Sequence, residues 1–195
     1  MRILLGLAIS LLMTTLALAD EALVMAAQDR LKHNITYNGA YLKLDYPGGD
    51  VPANIGVCTD VIIRSYRAAF GFDFQKAVHE DMKASFSAYP KNWGLTRTDR
   101  NIDHRRVPNL ETYLKRQDAS LGLSRKAEDF QPGDIVSWRL SGGLPHIGIV
   151  SDRKAADGTP LIIHNIGAGP QEEDILFLYK MSGHFRFIPE DKSRS

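Results

Sequence analysis

The chain has 195 residues, 44% of them hydrophobic, with 24 Lys and Arg against 23 Asp and Glu. So even a balance, a formal net charge of +1, gives no electrostatic basis for binding nucleic acid or an anionic membrane surface. A single cysteine excludes an intramolecular disulfide framework.

Met1-Arg2 precede an apolar run from Ile3 to Leu18, and Ala17-Leu18-Ala19 stands before Asp20. A basic start, a short apolar core and an Ala-x-Ala site read as a secretory signal peptide over residues 1–19. The run is short for a bilayer span of about 20 residues, and no basic stop-transfer cluster follows it. Residues 20–195 are then expected to form one domain, periplasmic or secreted, with no integral membrane segment after cleavage. In an oxidising compartment structural cysteines come in pairs. The unpaired Cys58 is therefore a small buried hydrophobe, an intermolecular bridge, or a chemically used thiol.

Residues 20–34 predict a helix, with acidic residues in the first turn and Leu23, Ala27 and Leu31 at helical spacing. Tyr37-Asn38-Gly39 signals a turn, and the alternation from Ala40 to Tyr46 predicts a short strand or extended arm. A Gly/Pro-rich stretch, Tyr46 to Pro52, gives way to a helix over 55–70 whose stripe is Cys58, Ile62, Tyr66 and Ala69, stopping at Gly71. Asp73 N-caps a helix from Phe74 to about Ser87, with Phe74, Val78, Met82 and Phe86 buried. Residues 91–107 are polar and irregular, and Pro108 opens a short helix over 109–117.

After Phe130 the texture turns to β. Strands are expected at Asp134–Leu140, His146–Ser151, Pro160–Ile166, Ile175–Lys180 and His184–Ile188. Helices first and consecutive strands second define an α+β domain with helices packed on one antiparallel sheet of about five strands.

A free thiol is about 3% ionised at pH 7, so a partner base and the positive end of a helix matter more to its chemistry than packing. Cys58 stands at a helix start, where free backbone N–H groups could also hold an oxyanion. Of six histidines, His33 and His184 read as surface or structural, His79 lies on a polar helix face, and His104 sits in a charged loop. His146 and His164 each interrupt an apolar strand, where a core imidazole is the alternative reading. Two of them on successive strands after a lone helix-start cysteine fit nucleophile, base and orienting group.

Pro132-Gly133-Asp134-Ile135-Val136, His146-Ile147-Gly148-Ile149-Val150 and Ile163-His164 together resemble the core of the NlpC-type, papain-like cysteine peptidases. The chain after Ala19 resembles more closely an exported bacterial family catalogued as domain of unknown function 1287. The shared stretches are Gly-Val-Cys-Thr-Asp (56–60), Val-His-Glu-Asp-Met (78–82), Asn-Ile-Asp-His-Arg-Arg-Val-Pro-Asn-Leu (101–110) and His-Asn-Ile-Gly (164–167). The resemblance implies a papain-like fold with Cys58 as nucleophile, His146 as base, and His164 or its neighbour Asn165 as third member. Strand parity sends those two to opposite faces, so only one can serve. No cofactor is implied. The superfamily's Asp-Cys-Ser-Gly reads here Val57-Cys58-Thr59-Asp60, and residues 71–131 form a long insertion between helix and sheet. Both departures bear on specificity.

Around this trio, Asp60 is expected to fix a substrate amine or neutralise the helix terminus. Arg105 and Arg106 either clamp a carboxylate or belong to a surface salt-bridge loop. Tyr46 is either an oxyanion donor or a turn-flanking aromatic. Resemblance and location imply an amide-cleaving cysteine hydrolase acting on cell-wall peptides. Two rivals stand beside it: a non-catalytic wall-binding module on the same fold, and a Cys-His-His zinc site, which lacks the His-x-x-x-His or Cys-x-x-Cys spacing of many such sites.

Overall fold

Three apolar stripes at helical spacing dictate most of the helical half. In the computed structural model, which describes residues 20–189, helix α1 spans residues 20–30 and places Leu23 and Ala27 in the core. Helix α2 (Cys58–Phe70) begins three residues later than its periodicity suggests, because Val57 is still extended. Gly71 ends it in the left-handed conformation, its N–H returning to Arg67 and Tyr66 carbonyls. Helix α3 (Phe74–Ala84) starts as expected at Asp73, whose carboxylate accepts the N–H groups of Gln75 and Lys76. Helix α4 (Val107–Arg116) carries Pro108 in its first turn, where a missing N–H is harmless. The signal peptide expected over residues 1–19 lies outside the described residues.

The fold is α+β. Five strands form one antiparallel sheet: β3 (Ile135–Arg139), β4 (Pro145–Lys154), β5 (Pro160–Asn165), β6 (Pro170–Glu173) and β7 (Lys180–Phe185), in the order β6-β5-β4-β3-β7. A separate two-residue parallel ladder joins β1 (Thr36–Tyr37) to β2 (Ile55–Gly56). The strand expected from Ala40 to Tyr46 is irregular, and that expected at Ile175–Lys180 is mostly turn, its place in the sheet taken by the polar Pro170–Glu173.

Alternation on the strands sorts two cores. Ile135, Ile147, Ile149, Ile163 and Phe185 meet Cys58, Val61, Ile62 and Tyr66 of α2 and the buried faces of the other helices. Val136, Trp138, Val150 and Ile162 face the opposite way and are covered by Phe130, Ile175, Leu176 and Met181. Each large apolar side chain buried this way contributes roughly 1.5–3 kcal/mol. A sheet sealed on both faces holds its strands in fixed register, which any site built on β4 and β5 requires. Among the described residues no helix is long and apolar enough to cross a membrane.

Candidate active site

Cys58 is the first residue of α2 and only 5% exposed. The β4–β5 ladder ends at the Gly148–His164 pair. One residue beyond, the amide of Ile147 approaches the Cys58 sulfur and, with the amides of Thr59 and Cys58, favours its thiolate. The thiol therefore sits against the strand where β5 parts from β4, next in sequence to His146. Burial pushes its pKa up to about 12, and the Asp60 carboxylate adds to the rise, outweighing the three amides that favour the thiolate. The activation expected from a helix start is thus overridden by desolvation.

His146 pairs across the ladder with Trp138, its ring tilted against the indole at 5.9 Å between centroids. It shares that face of β4 with Gly148 and Val150, while Ile147 and Ile149 point to α2. His164 stands on the same outer face, opposite Gly148, and its Nδ1 is 3.0 Å from His146 Nε2 with the rings edge to face. Among the described residues that is the side-chain hydrogen bond His146 makes, so Nδ1 is its remaining ring nitrogen. Burial, with the neighbouring His164, depresses the His146 pKa to about 3.

Gly148 is needed between them. A Cβ there would stand 2.6 Å from Ile162 Cγ2, 3.0 Å from the Ile163 carbonyl oxygen and 3.1 Å from His164 Cβ. Gly148→Ala is expected to lower the unfolding free energy by about 1–3 kcal/mol through overpacking. Its amide spectrum should change along β5 around His164. Urea unfolding and chemical-shift mapping check both, and an unperturbed variant contradicts the close approach.

The parity expectation for residues 164 and 165 holds. Asn165 turns to the α2 side, lining a cavity of about 10 Å³ with Gly56, Val57 and Asp60, while His164 meets His146. The Asn165 side-chain oxygen accepts the Gly167 N–H.

The four flanking residues fall elsewhere than a substrate cleft requires. Asp60 and Arg105 are nearly buried and bind each other, Nε to Oδ1 and one terminal nitrogen to Oδ2, both at 2.9 Å. Asp60 Oδ2 also accepts the Val57 N–H at 2.7 Å, satisfying the head of α2. Neither side chain is free for a ligand amine or carboxylate. Arg106 stacks on Trp93, 4.2 Å from the ring centroid, and approaches Asp103 at 3.5 Å. Tyr46 packs edge-on against His79 with Arg100 over its ring, on the α3 side of the molecule. The tyrosine near the thiol is Tyr37, held on β1 opposite Gly56 and 43% exposed. Burial raises its phenol pKa, and the charge of Asp60, with that of Cys58 once ionised, adds to the rise. Sequence reasoning placed Tyr37 in a turn, since a two-residue parallel ladder leaves no periodic signal.

His104 is buried beside Arg105 and faces the charges of Asp73 and Arg67, with burial lowering its pKa to about 4. His184 is buried against Asp134 at 2.8 Å and stacked on Phe130, a structural pair. Among the described residues no group of three or more His, Cys, Asp or Glu is gathered to hold a metal ion.

The α+β domain thus carries a lone thiol at a helix start and two linked imidazoles on its sheet. Residues 24–187 match the family model described as "Domain of unknown function (DUF1287)", and the chain belongs to that family. It is 55% identical over 175 residues to "Uncharacterized protein YijF" of Escherichia coli (strain K12), covering 90% of this chain and 82% of that one. Among solved structures, NlpC1 from Trichomonas vaginalis aligns with a TM-score of 0.43 at 14% identity, over 86% of this chain and 43% of that one.

Proposed function

We propose that this protein is an exported cysteine hydrolase that cleaves an amide bond in cell-wall peptides, with Cys58 as nucleophile, His146 as base and His164 as the orienting third residue. One observation carries the reading. The chain's single thiol lies by the amide of Ile147, next in sequence to His146, whose ring leaves the outer face of β4 and whose Nε2 is hydrogen-bonded to His164.

In this mechanism the thiol proton moves to His146 Nδ1 as sulfur attacks the substrate carbonyl carbon. The carbonyl π electrons move to oxygen, and their return expels the amine, which takes the proton back from His146. Water then adds to the thioester, giving its proton to His146, and the thiol leaves reprotonated. Export follows from the signal peptide read in residues 1–19, and the cell-wall substrate from the family resemblance together with that location.

Intact peptidoglycan incubated with the protein should release peptides identifiable by mass spectrometry, and none with Cys58→Ala. Equal product from both proteins overturns the reading. The near-complete burial of Cys58 favours one second reading, a non-catalytic wall-binding module. On that reading both proteins sediment with peptidoglycan and neither releases peptide.

A further inference from the structure

A neutral imidazole carries one N–H and one lone pair. The bond between His146 Nε2 and His164 Nδ1 can therefore run in either direction. In one, His146 donates from Nε2 and keeps its lone pair on Nδ1. In the other, His164 donates from Nδ1, and His146 holds its own proton on Nδ1, where it cannot take one from a thiol.

The far side of His164 decides between them. Its Nε2 lies 2.9 Å from Glu173 Oε2, and that nitrogen is otherwise buried without a hydrogen-bond partner. Glu173 pairs with Ile162 on edge strand β6 while Gln171 pairs with His164, which puts Glu173 on the imidazole's face one diagonal step away. The contact is too bent for a well-formed hydrogen bond, yet it is polar enough to choose a tautomer. A nitrogen lone pair facing a carboxylate oxygen at this distance repels it, whereas an N–H attracts it. An ionised carboxylate only accepts.

We propose that Glu173 is a positioning residue that sets the polarity of the imidazole pair. Its carboxylate keeps the His164 proton on Nε2, so that His164 Nδ1 accepts from His146 Nε2–H and the Nδ1 lone pair of His146 is left free to take a proton. What that lone pair does rests on the hydrolase reading; the tautomers do not. The charge of Glu173 also counters the effect of burial on His164, favouring its protonated form. The adjacent carboxylate, Glu172, takes no part, because it is bound to Ser151 and Arg153.

The test uses the protein with ¹⁵N-labelled histidine and long-range ¹H–¹⁵N spectra, which distinguish N–H from bare ring nitrogens. The native protein and Glu172→Gln should both show His146 and His164 protonated at Nε2 alone. Glu173→Ala should lose that single pattern, and peptide release from peptidoglycan should slow roughly 10- to 100-fold, whereas Glu173→Gln, whose amide oxygen still accepts, should keep more of both. The side chain of Glu173 is 47% exposed, so both replacements are compatible with the fold. Glu173→Ala with both Nε2–H tautomers intact overturns the proposal. So does a native spectrum with His164 protonated at Nδ1, which needs no variant. Tautomers that shift as expected, while the native protein and Cys58→Ala release equal peptide, sustain the assignment of Glu173 and remove the hydrolase.

Discussion

Arg105→Ala lowers the free energy of unfolding by about 3–5 kcal/mol, the expected result of leaving the Asp60 carboxylate buried and alone beneath α2. The guanidinium meets both carboxylate oxygens at 2.9 Å, and the two side chains are 2% and 4% exposed. Removing one partner exposes the other's desolvation in full. Three further contacts tie the pair to the site. The Arg105 carbonyl accepts the Thr59 hydroxyl at 3.2 Å, and its guanidinium reaches the carbonyls of Asn38 and Ala40 at 3.4 Å, next to Tyr37.

The measurement is urea unfolding at neutral pH, and for a chain of this length each kcal/mol also moves the thermal midpoint by roughly 2–4 °C. Arg105→Lys should recover only part of the loss, because an ammonium cannot hold both oxygens at once. The double variant Asp60→Asn/Arg105→Met should lose less than Arg105→Ala, since no unpaired charge remains. Its residual loss reflects the weakened bond to the Val57 N–H. A single Arg105→Ala variant within about 1 kcal/mol of the native protein, the range of an exposed pair, contradicts a buried one.

This pair also marks where the sequence stops being readable. Periodicity and turn chemistry exposed the helices, the Asp73 cap and strands β3 to β5, because each rests on local spacing and on one buried face. Cys58, His146 and His164 stood out as candidates for the same reason: each interrupts or begins a strongly patterned element. Asp60 and Arg105 lie 45 residues apart, and nothing local distinguishes two partners from two separate ligand contacts. Apolar content misled at the sheet edge. Ile175 and Leu176 are buried, but they cap the second core from a turn, while the edge strand is Pro-Gln-Glu-Glu. An edge strand needs only backbone pairing on one side, so its sequence can be polar. The alternation from Ala40 to Tyr46 misled in the opposite sense. That segment is held by side chains from elsewhere, Asn101 accepting the Leu44 N–H and Gln75 donating to the Asp45 carbonyl. Glu173 was invisible as a partner of His164 because it belongs to that same unpatterned edge strand.

Mild acid should unfold the protein from the site outward. His146 titrates near pH 3 in the folded chain against about 6.5 when unfolded. Between those values the unfolded chain binds a proton that the folded chain refuses, so stability is complete above the unfolded value and falls as pH drops. Each pH step of one across that window removes about 1.4 kcal/mol, so the loss from His146 alone reaches several kcal/mol as pH approaches 3. His104, at about 4, adds to it with the same sign. Asp103 opposes: burial raises its pKa to about 6, so the folded chain gains relative stability between roughly pH 6 and 4. Two imidazoles outweigh one carboxyl over most of that window, leaving a net loss. At the alkaline end the Cys58 thiol, held to about 12 against an ordinary value of 9.0, removes stability as pH rises between those values. Unfolding free energies from urea titrations should therefore hold near neutral pH and decline below about 6. His146→Gln should flatten the acid slope by roughly one proton. An unchanged slope in that variant means that His146 is already solvated in the folded protein, and that its neutral, buried ring is not the resting state.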